Sequence, residues 1–180
     1  MPIVRGLLDR AVLVSAAVAG GLIPGFIAQY RQRLGGRLDQ ALLDLAPWQK
    51  LADQSYHGDL QKLIEYHLQS SDPTFHSEGD IIRALVATVH QLQGAVDALH
   101  GSLFSQAGYL VLHADPALVR ATFADWVPTF ALSGEGLAFA AVFALCVWLL
   151  FHALWWPTAL GSRRLRNPDR PEPRRIEPTL

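Results

Sequence analysis

The chain has 180 residues, of which 51% are hydrophobic and 17% charged, and its formal net charge is −1. Residues 31–135 carry twelve acidic and seven basic side chains, a net charge of −5, and this balance excludes the basic surface that nucleic-acid binding requires. The single cysteine, Cys146, excludes an intramolecular disulfide.

Two long stretches of the chain contain no Asp, Glu, Lys or Arg. They cover residues 11–30 and 136–162, which are 20 and 27 residues long. A helix needs about 20 apolar residues to cross the hydrocarbon of a bilayer. The sequence therefore predicts a short N-terminal tail at 1–10 and transmembrane helices at 11–30 and 136–160. Ala17 and Ala19 form a cleavage-site pattern, but the apolar run continues past them and favours an uncleaved signal anchor.

The first predicted span contains a proline among glycines. Pro24, with Gly20, Gly21 and Gly25 around it, predicts a kink or a local unwinding, because proline removes one backbone hydrogen bond. Small residues also recur every fourth position in both spans, a pattern that lets helix backbones approach closely. The helix-packing candidates are Ala17, Gly21, Gly25, Gly136, Ala140 and Ala144. Their partner is either the other span or a second membrane subunit.

Residues 31–135 are predicted to form an acidic, helical extramembrane domain. A leucine stripe predicts a helix that leaves the membrane and ends at Pro47, before a short helix running to about Gln54. Asp59, Asp72 and Asp115 are predicted N-caps, and Ser133 is predicted to cap the second span. The longest soluble helix follows Asp72, with apolar positions at Ile81, Leu85, Val89, Leu92, Val96, Leu99 and Leu103.

No alternating strand pattern is present, so the predicted fold class is all-α: two transmembrane helices flanking a helical hairpin or bundle. Residues 161–180, rich in Arg and Pro, have few apolar side chains to bury and are predicted to be a disordered tail.

Basic and aromatic residues predict the topology. The two tails hold eight arginines, which favours both termini in the cytoplasm and residues 31–135 in the periplasm. The arginines just after the first span oppose this arrangement, although long loops translocate largely regardless of their charge. The predicted interface anchors are Tyr30, Arg31, Arg33, Trp155 and Trp156.

Catalytic signals are absent from the sequence. No nucleophile, nucleotide, metalloprotease or calcium-loop motif occurs, and no two of the seven histidines stand three or four residues apart as a helical metal site requires. No catalytic, cofactor or metal residue is therefore predicted. His152 is the exception worth testing, because an ionisable group inside a span is a functional candidate by default.

Three segments carry a family resemblance: LIPGFIAQYRQRLGGRLDQALLDLAPWQKLAD, HLQSSDP and HADPALVRATFADWVP. Up to about Trp156 the chain resembles a domain-of-unknown-function family of small proteobacterial inner-membrane proteins with two transmembrane helices. The resemblance implies a bacterial host and an inner-membrane location, and it implies no chemistry. The tail after Gly161 looks like an addition of this sequence.

These observations favour a non-enzymatic accessory or scaffold protein of the inner membrane. Its expected partners are the lipid bilayer and another membrane or periplasmic protein or a second copy, with no nucleic acid and no cofactor. The alternative is an oligomeric channel or transport component, motivated by His152 and by the Gly and Pro residues of the first span. A membrane enzyme with a site assembled across helices is a third hypothesis.

Overall fold

The protein is all-helical over the residues that the structure describes. This computed structural model describes the backbone of residues 2–164 and the side chains of residues 4 and 6–154. That part of the chain contains no strand, which confirms the all-α prediction there. Its six helices are α1 (Pro2–Tyr56), α2 (Leu60–Leu68), α3 (Pro73–Ala98), α4 (Leu103–His113), α5 (Pro116–Ala124) and α6 (Gly134–Arg164). Two segments are long and apolar enough to cross a membrane, Gly6–Tyr56 in α1 and Gly134–Leu154 in α6.

Helix α1 is continuous through both of its prolines. The predicted helix end at Pro47 is therefore wrong, and the helix is not unwound at Pro24; a bend at Pro24 stays a prediction. Proline removes a single N–H, and Pro47 itself is exposed, so its ring displaces no packed neighbour. Ala41 and Ala52, which are 7% and 0% exposed, hold the helix against its neighbours on both sides of Pro47.

The true end of α1 is a left-handed turn. His57 and Gly58 have φ angles of +55° and +84°, and the Gly58 N–H donates to the Ala52 carbonyl oxygen at 3.1 Å. A glycine adopts this conformation without steric strain, and the hydrogen bond satisfies a carbonyl that the helix end would leave free. The chain then reverses into α2.

The predicted helix starts are confirmed by their capping bonds. Aspartate carboxylates accept backbone N–H groups at the starts of α2, α3 and α5: Asp59 from Lys62 at 3.1 Å, Asp72 from Thr74 at 2.8 Å and Asp115 from Ala117 at 2.8 Å. The Ser133 hydroxyl accepts the Gly136 N–H at 3.1 Å and caps α6. Capping depends on neighbouring residues alone, which is why the sequence predicts it well.

The predicted stripe of the longest soluble helix divides between two helices. Helix α3 ends at Ala98, and the Ser102 hydroxyl caps a separate α4 by accepting the Ser105 N–H at 3.4 Å. The stripe is also displaced at its start, since Ile82 is 0% exposed whereas the predicted Ile81 is 61% exposed. The sequence therefore missed α4 as an element of its own.

Two compact units make up the chain. The central unit is Gly21–Phe139, and the terminal unit combines Met1–Gly20 with Ala140–Leu180. Helix α6 includes residues 161–164, which the sequence assigned to the disordered tail; the rest of that tail lies outside the described residues. In the central unit, α1, α5 and the turn after α3 meet in a core of Tyr30, Leu34, Leu99 and Leu118.

Candidate functional site

Three arginines follow the first uncharged run on α1, and two of them are neutralised within the central unit. Arg33 forms an ion pair with Asp125, and Arg37 lies 3.0 Å from Asp115. The carboxylates come from the end of α5 and from its N-cap, 92 and 78 residues further along the chain. These pairs join both ends of α5 to α1.

Asp115 connects α5 to α1 in two further ways. Its backbone N–H donates to the Tyr30 hydroxyl at 3.2 Å, and its carboxylate accepts the Ala117 N–H. That backbone hydrogen bond, followed by the Arg37 guanidinium, holds the pKa of the Asp115 carboxyl below its usual range. Asp115 therefore stays ionised at neutral pH and keeps the charge of Arg37 compensated.

Arg31 differs from its two neighbours. Within the described part of the chain its guanidinium has no ion pair or hydrogen bond. It lines a cavity of about 290 Å³ between α1 and the end of α3, and the other polar side chains that line this cavity are Gln32 and His100. The apolar wall consists of Ala28, Leu34, Val96 and Leu99. A cation above an apolar wall suits an anion that carries an apolar part.

A polar cluster lies between α1 and α6 in the terminal unit. The Trp148 indole N–H donates to Asp9 Oδ1 at 2.9 Å, and His152 Nε2 lies 3.6 Å from the same oxygen. His152 Nδ1 lies 3.1 Å from the Trp148 carbonyl oxygen, so Nδ1 carries a hydrogen. His152 Nε2 and the Asp9 carboxylate therefore face each other between the two helices. The sequence singled out His152 but missed Asp9, which is 143 positions away and was assigned to the tail.

The residues predicted to pack helix against helix differ in what they contact. In the terminal unit it is Gly20 that approaches Ala140, since a Cβ at Gly20 would lie 3.0 Å from the Ala140 Cα and 3.1 Å from Phe143. Ala16, Ala140 and Ala144 are 6%, 6% and 5% exposed. Ala17 is half-buried. The close approach of α1 and α6 within this unit therefore uses the face of Ala16 and Gly20, one residue before the predicted one.

Gly21 and Gly25 form a notch for the segment before α6 in the central unit. A Cβ at Gly21 would overlap the Phe130 ring, and one at Gly25 would overlap the Thr129 hydroxyl and lie 2.5 Å from the Thr129 carbonyl oxygen. The Ala131 N–H donates to the Gly21 carbonyl oxygen at 3.1 Å. Gly136 has a similar role, because a Cβ there would lie 2.6 Å from the Ala131 Cβ. These three glycines accommodate residues 129–131 within their own unit.

The predicted interface anchors have different surroundings. Tyr30 is 2% exposed and has a packing role in the core that the sequence did not predict. The Arg31 guanidinium has no partner among the described residues, whereas Arg33 is paired with Asp125. The side chains of Trp155 and Trp156 lie outside the described residues.

A buried histidine, His67, lies on α2 in the central unit. His67 is 4% exposed, its Nδ1 lies 2.9 Å from the Leu63 carbonyl oxygen and its Nε2 lies 3.6 Å from Glu78. Trp48, Tyr66 and Phe75 surround its ring at centroid distances of 6.1, 5.8 and 5.5 Å. Its Nδ1 is hydrogen-bonded and aromatic rings pack around it, which is the arrangement of a core residue. Among the described residues, no group of three or more His, Cys, Asp or Glu side chains is placed to hold a metal ion.

The fold and these sites define an all-helical protein with two helices long and apolar enough to cross a membrane. A family model described as "Protein of unknown function (DUF2937)" matches residues 4–166, and the chain belongs to that family. The resemblance to a family of unknown function is confirmed, and the match extends past Trp156. No curated protein and no solved structure matches the chain.

Proposed function

We propose that this protein is a non-enzymatic accessory or scaffold protein of the bacterial inner membrane, which binds another membrane protein through helix–helix contacts. The observation that carries the proposal is an apolar groove of about 430 Å³ along α1 and α6 in the terminal unit. Ala11, Ser15 and Ala19 follow one another at intervals of four residues in it, with Val12, Phe143 and Val147 beside them.

The occupant that fits this groove is a transmembrane helix of a partner protein. Small side chains at every fourth position let a second backbone approach closely, and helix association in lipid depends on such van der Waals contact. Ala16 and Gly20 already serve the contact between α1 and α6, whereas Ala11, Ser15 and Ala19 are exposed. The Ser15 hydroxyl also supplies a hydrogen-bond donor to an incoming helix.

The central unit offers further contact surface to such a partner. Large apolar side chains stand exposed on α4 and around the end of α5, with exposed fractions of 84% for Val111, 75% for Leu112, 63% for Phe123 and 65% for Val127. Under the proposed topology residues 31–135 of this unit are periplasmic and both termini are cytoplasmic, which the eight arginines of the two tails support. A periplasmic part of the partner would cover these side chains.

Photo-crosslinking in living cells tests the groove. A photoreactive residue at Ser15 is expected to give a discrete crosslinked band that mass spectrometry identifies as a membrane protein. The control is the same residue at Val14, which is 62% exposed and lies outside the groove, about 100° round the helix from Ser15. Ser15→Leu is expected to reduce copurification of the partner several-fold, and Val14→Leu is not.

The alternative outcomes have definite meanings. Crosslinks to lipid alone at both positions would contradict the proposal. A band containing only this chain would show that the groove joins two copies, and would replace the heterologous partner with a homo-oligomer.

The close approach of Asp9 and His152 favours a second candidate function, an oligomeric channel or transport component that moves protons. An ionisable pair among apolar helices is typical of proton pathways in membranes. Proteoliposomes carrying a pH-sensitive dye are expected to show proton flux that Asp9→Asn and His152→Gln lower at least about tenfold. His90→Gln, which alters an exposed histidine of α3, is the control. Liposomes that show no flux with the unaltered protein would contradict this candidate.

A further inference from the structure

We propose that the cavity beneath Arg31 binds the phosphate group of a membrane phospholipid, with the adjoining lipid carbons against its apolar wall. This inference depends on the membrane placement of α1 and not on any protein partner, so it stands or falls separately from the helix-docking role. Three observations carry it: a free cation, the shape of the cavity and its place along the chain.

The first observation is the difference between Arg31 and its two neighbours. Arg33 and Arg37 are compensated by Asp125 and Asp115, whereas the Arg31 guanidinium has no partner among the described residues. A guanidinium offers five N–H donors in a fixed fork, which matches the oxygens of a phosphate group. His100, which lines the same cavity, supplies a further ring N–H.

The second observation is the cavity. Its volume of about 290 Å³ suits a headgroup and the start of its glycerol, since complete small-molecule sites have roughly 300–1,000 Å³. Leu34 and Leu99 form its floor at 3% and 0% exposed, and Ala28 and Val96 extend the apolar wall. An apolar wall below a cation favours an amphipathic anion over inorganic phosphate, which would leave that wall in contact with water.

The third observation is position. Arg31 is the first charged residue after the 20-residue uncharged run, and Ala28, three residues earlier, lines the same cavity. Three helical residues advance about 4.5 Å along the axis. In a spanning α1 the cavity therefore extends from the end of the hydrocarbon into the polar layer, which is roughly 5–7 Å thick on each face and holds the lipid phosphates.

The other charges near the cavity oppose an anion, so binding depends on Arg31. Helix α3 ends at Ala98 beside the cavity, and its last carbonyls place a partial negative charge there. Asp97 on the same last turn adds a carboxylate. His100 alone faces these negative groups, so removal of the Arg31 charge should weaken binding strongly.

Native mass spectrometry of the full-length protein, released from nanodiscs of phosphatidylglycerol, tests the site. We expect the unaltered chain to retain one phospholipid, and Arg31→Gln to lower retention at least about tenfold, as loss of a charge-assisted hydrogen bond implies. Arg120→Gln makes the same charge change on α5, outside the cavity, and is expected to leave retention unchanged.

Two further measurements separate a built site from general attraction to the membrane. Ala28→Leu places a larger side chain in the cavity and keeps every charge. We expect it to lower phospholipid retention as Arg31→Gln does. Unchanged retention in Ala28→Leu, or equal losses in Arg31→Gln and Arg120→Gln, would overturn the proposal. Titration with glycerol 3-phosphate and with inorganic phosphate distinguishes the source: binding as tight as that of the lipid would show a site for a soluble phosphate and overturn the lipid assignment.

Discussion

Gly25→Ala is expected to destabilise the central unit by about 1–3 kcal/mol, the usual range for overpacking a closely fitted site. The added Cβ would overlap the Thr129 hydroxyl and lie 2.5 Å from the Thr129 carbonyl oxygen. Because backbone as well as side chain blocks the new methyl group, residues 129–131 must move away from α1. Denaturant unfolding of the detergent-solubilised protein, followed by helical circular dichroism, measures the change.

Two other glycines of the same helix make the comparison specific. A Cβ at Gly36 meets nothing within 4 Å, so Gly36→Ala is expected to stabilise the chain by about 0.5–1 kcal/mol through helix propensity. Gly21→Ala is expected to have a smaller effect than Gly25→Ala, because the Phe130 ring that it meets is 45% exposed and can turn aside.

Chymotrypsin reports on the displaced segment directly. Cleavage near Trp126 and Phe130 is expected to be faster in Gly25→Ala than in the unaltered protein and in Gly36→Ala. If Gly25→Ala unfolded at the same denaturant concentration and resisted the protease equally, the notch would have no part in holding residues 129–131.

The notch also shows how far the small-residue pattern could be interpreted from the sequence. Gly21 and Gly25 predict a close backbone approach, and one occurs at both positions. The pattern does not identify the group that approaches, because the space left by a missing side chain accepts any closely packed segment. The sequence offered another helix as the partner, whereas the structure places Phe130 and Thr129 there.

Local sequence signals predicted the helix starts correctly. They failed to predict a helix boundary where tertiary packing determines it. Asp59, Asp72 and Asp115 cap the helices expected of them because capping involves only neighbouring residues. Pro47 predicted a helix end on equally local grounds, yet α1 continues through it. Packing on both sides of Pro47 outweighs the one hydrogen bond that proline removes.

The candidate sites depend on pairs that a single sequence cannot reveal. Arg33 and Asp125 are 92 residues apart, and Trp148 and Asp9 are 139 apart. In the sequence, each of these residues is explained equally well as a surface charge or as an aromatic ring at the membrane interface. Only the fold distinguishes the paired Arg33 from the free Arg31, two residues earlier in the chain.

Leu99→Ala is expected to have the largest effect on stability of any change considered, about 2–5 kcal/mol, as for other large-to-small core substitutions. Leu99 is 0% exposed and packs with Tyr30, Leu34 and Leu118, where α1, α5 and the end of α3 meet. Removal of its side chain leaves a void where these three elements meet. Denaturant unfolding monitored by circular dichroism at equal detergent concentration measures the loss.

Leu112→Ala is the matched control, since the same atoms are removed from a side chain that is 75% exposed, and its effect should stay within about 0.5 kcal/mol. Equal stability of the two variants would mean that the core of the central unit is not centred on Leu99. Because Leu99 also forms the floor of the Arg31 cavity, Leu99→Ala should reduce phospholipid retention together with stability. Arg31→Gln should reduce retention alone, and this separation distinguishes damage to the core from loss of the anion site.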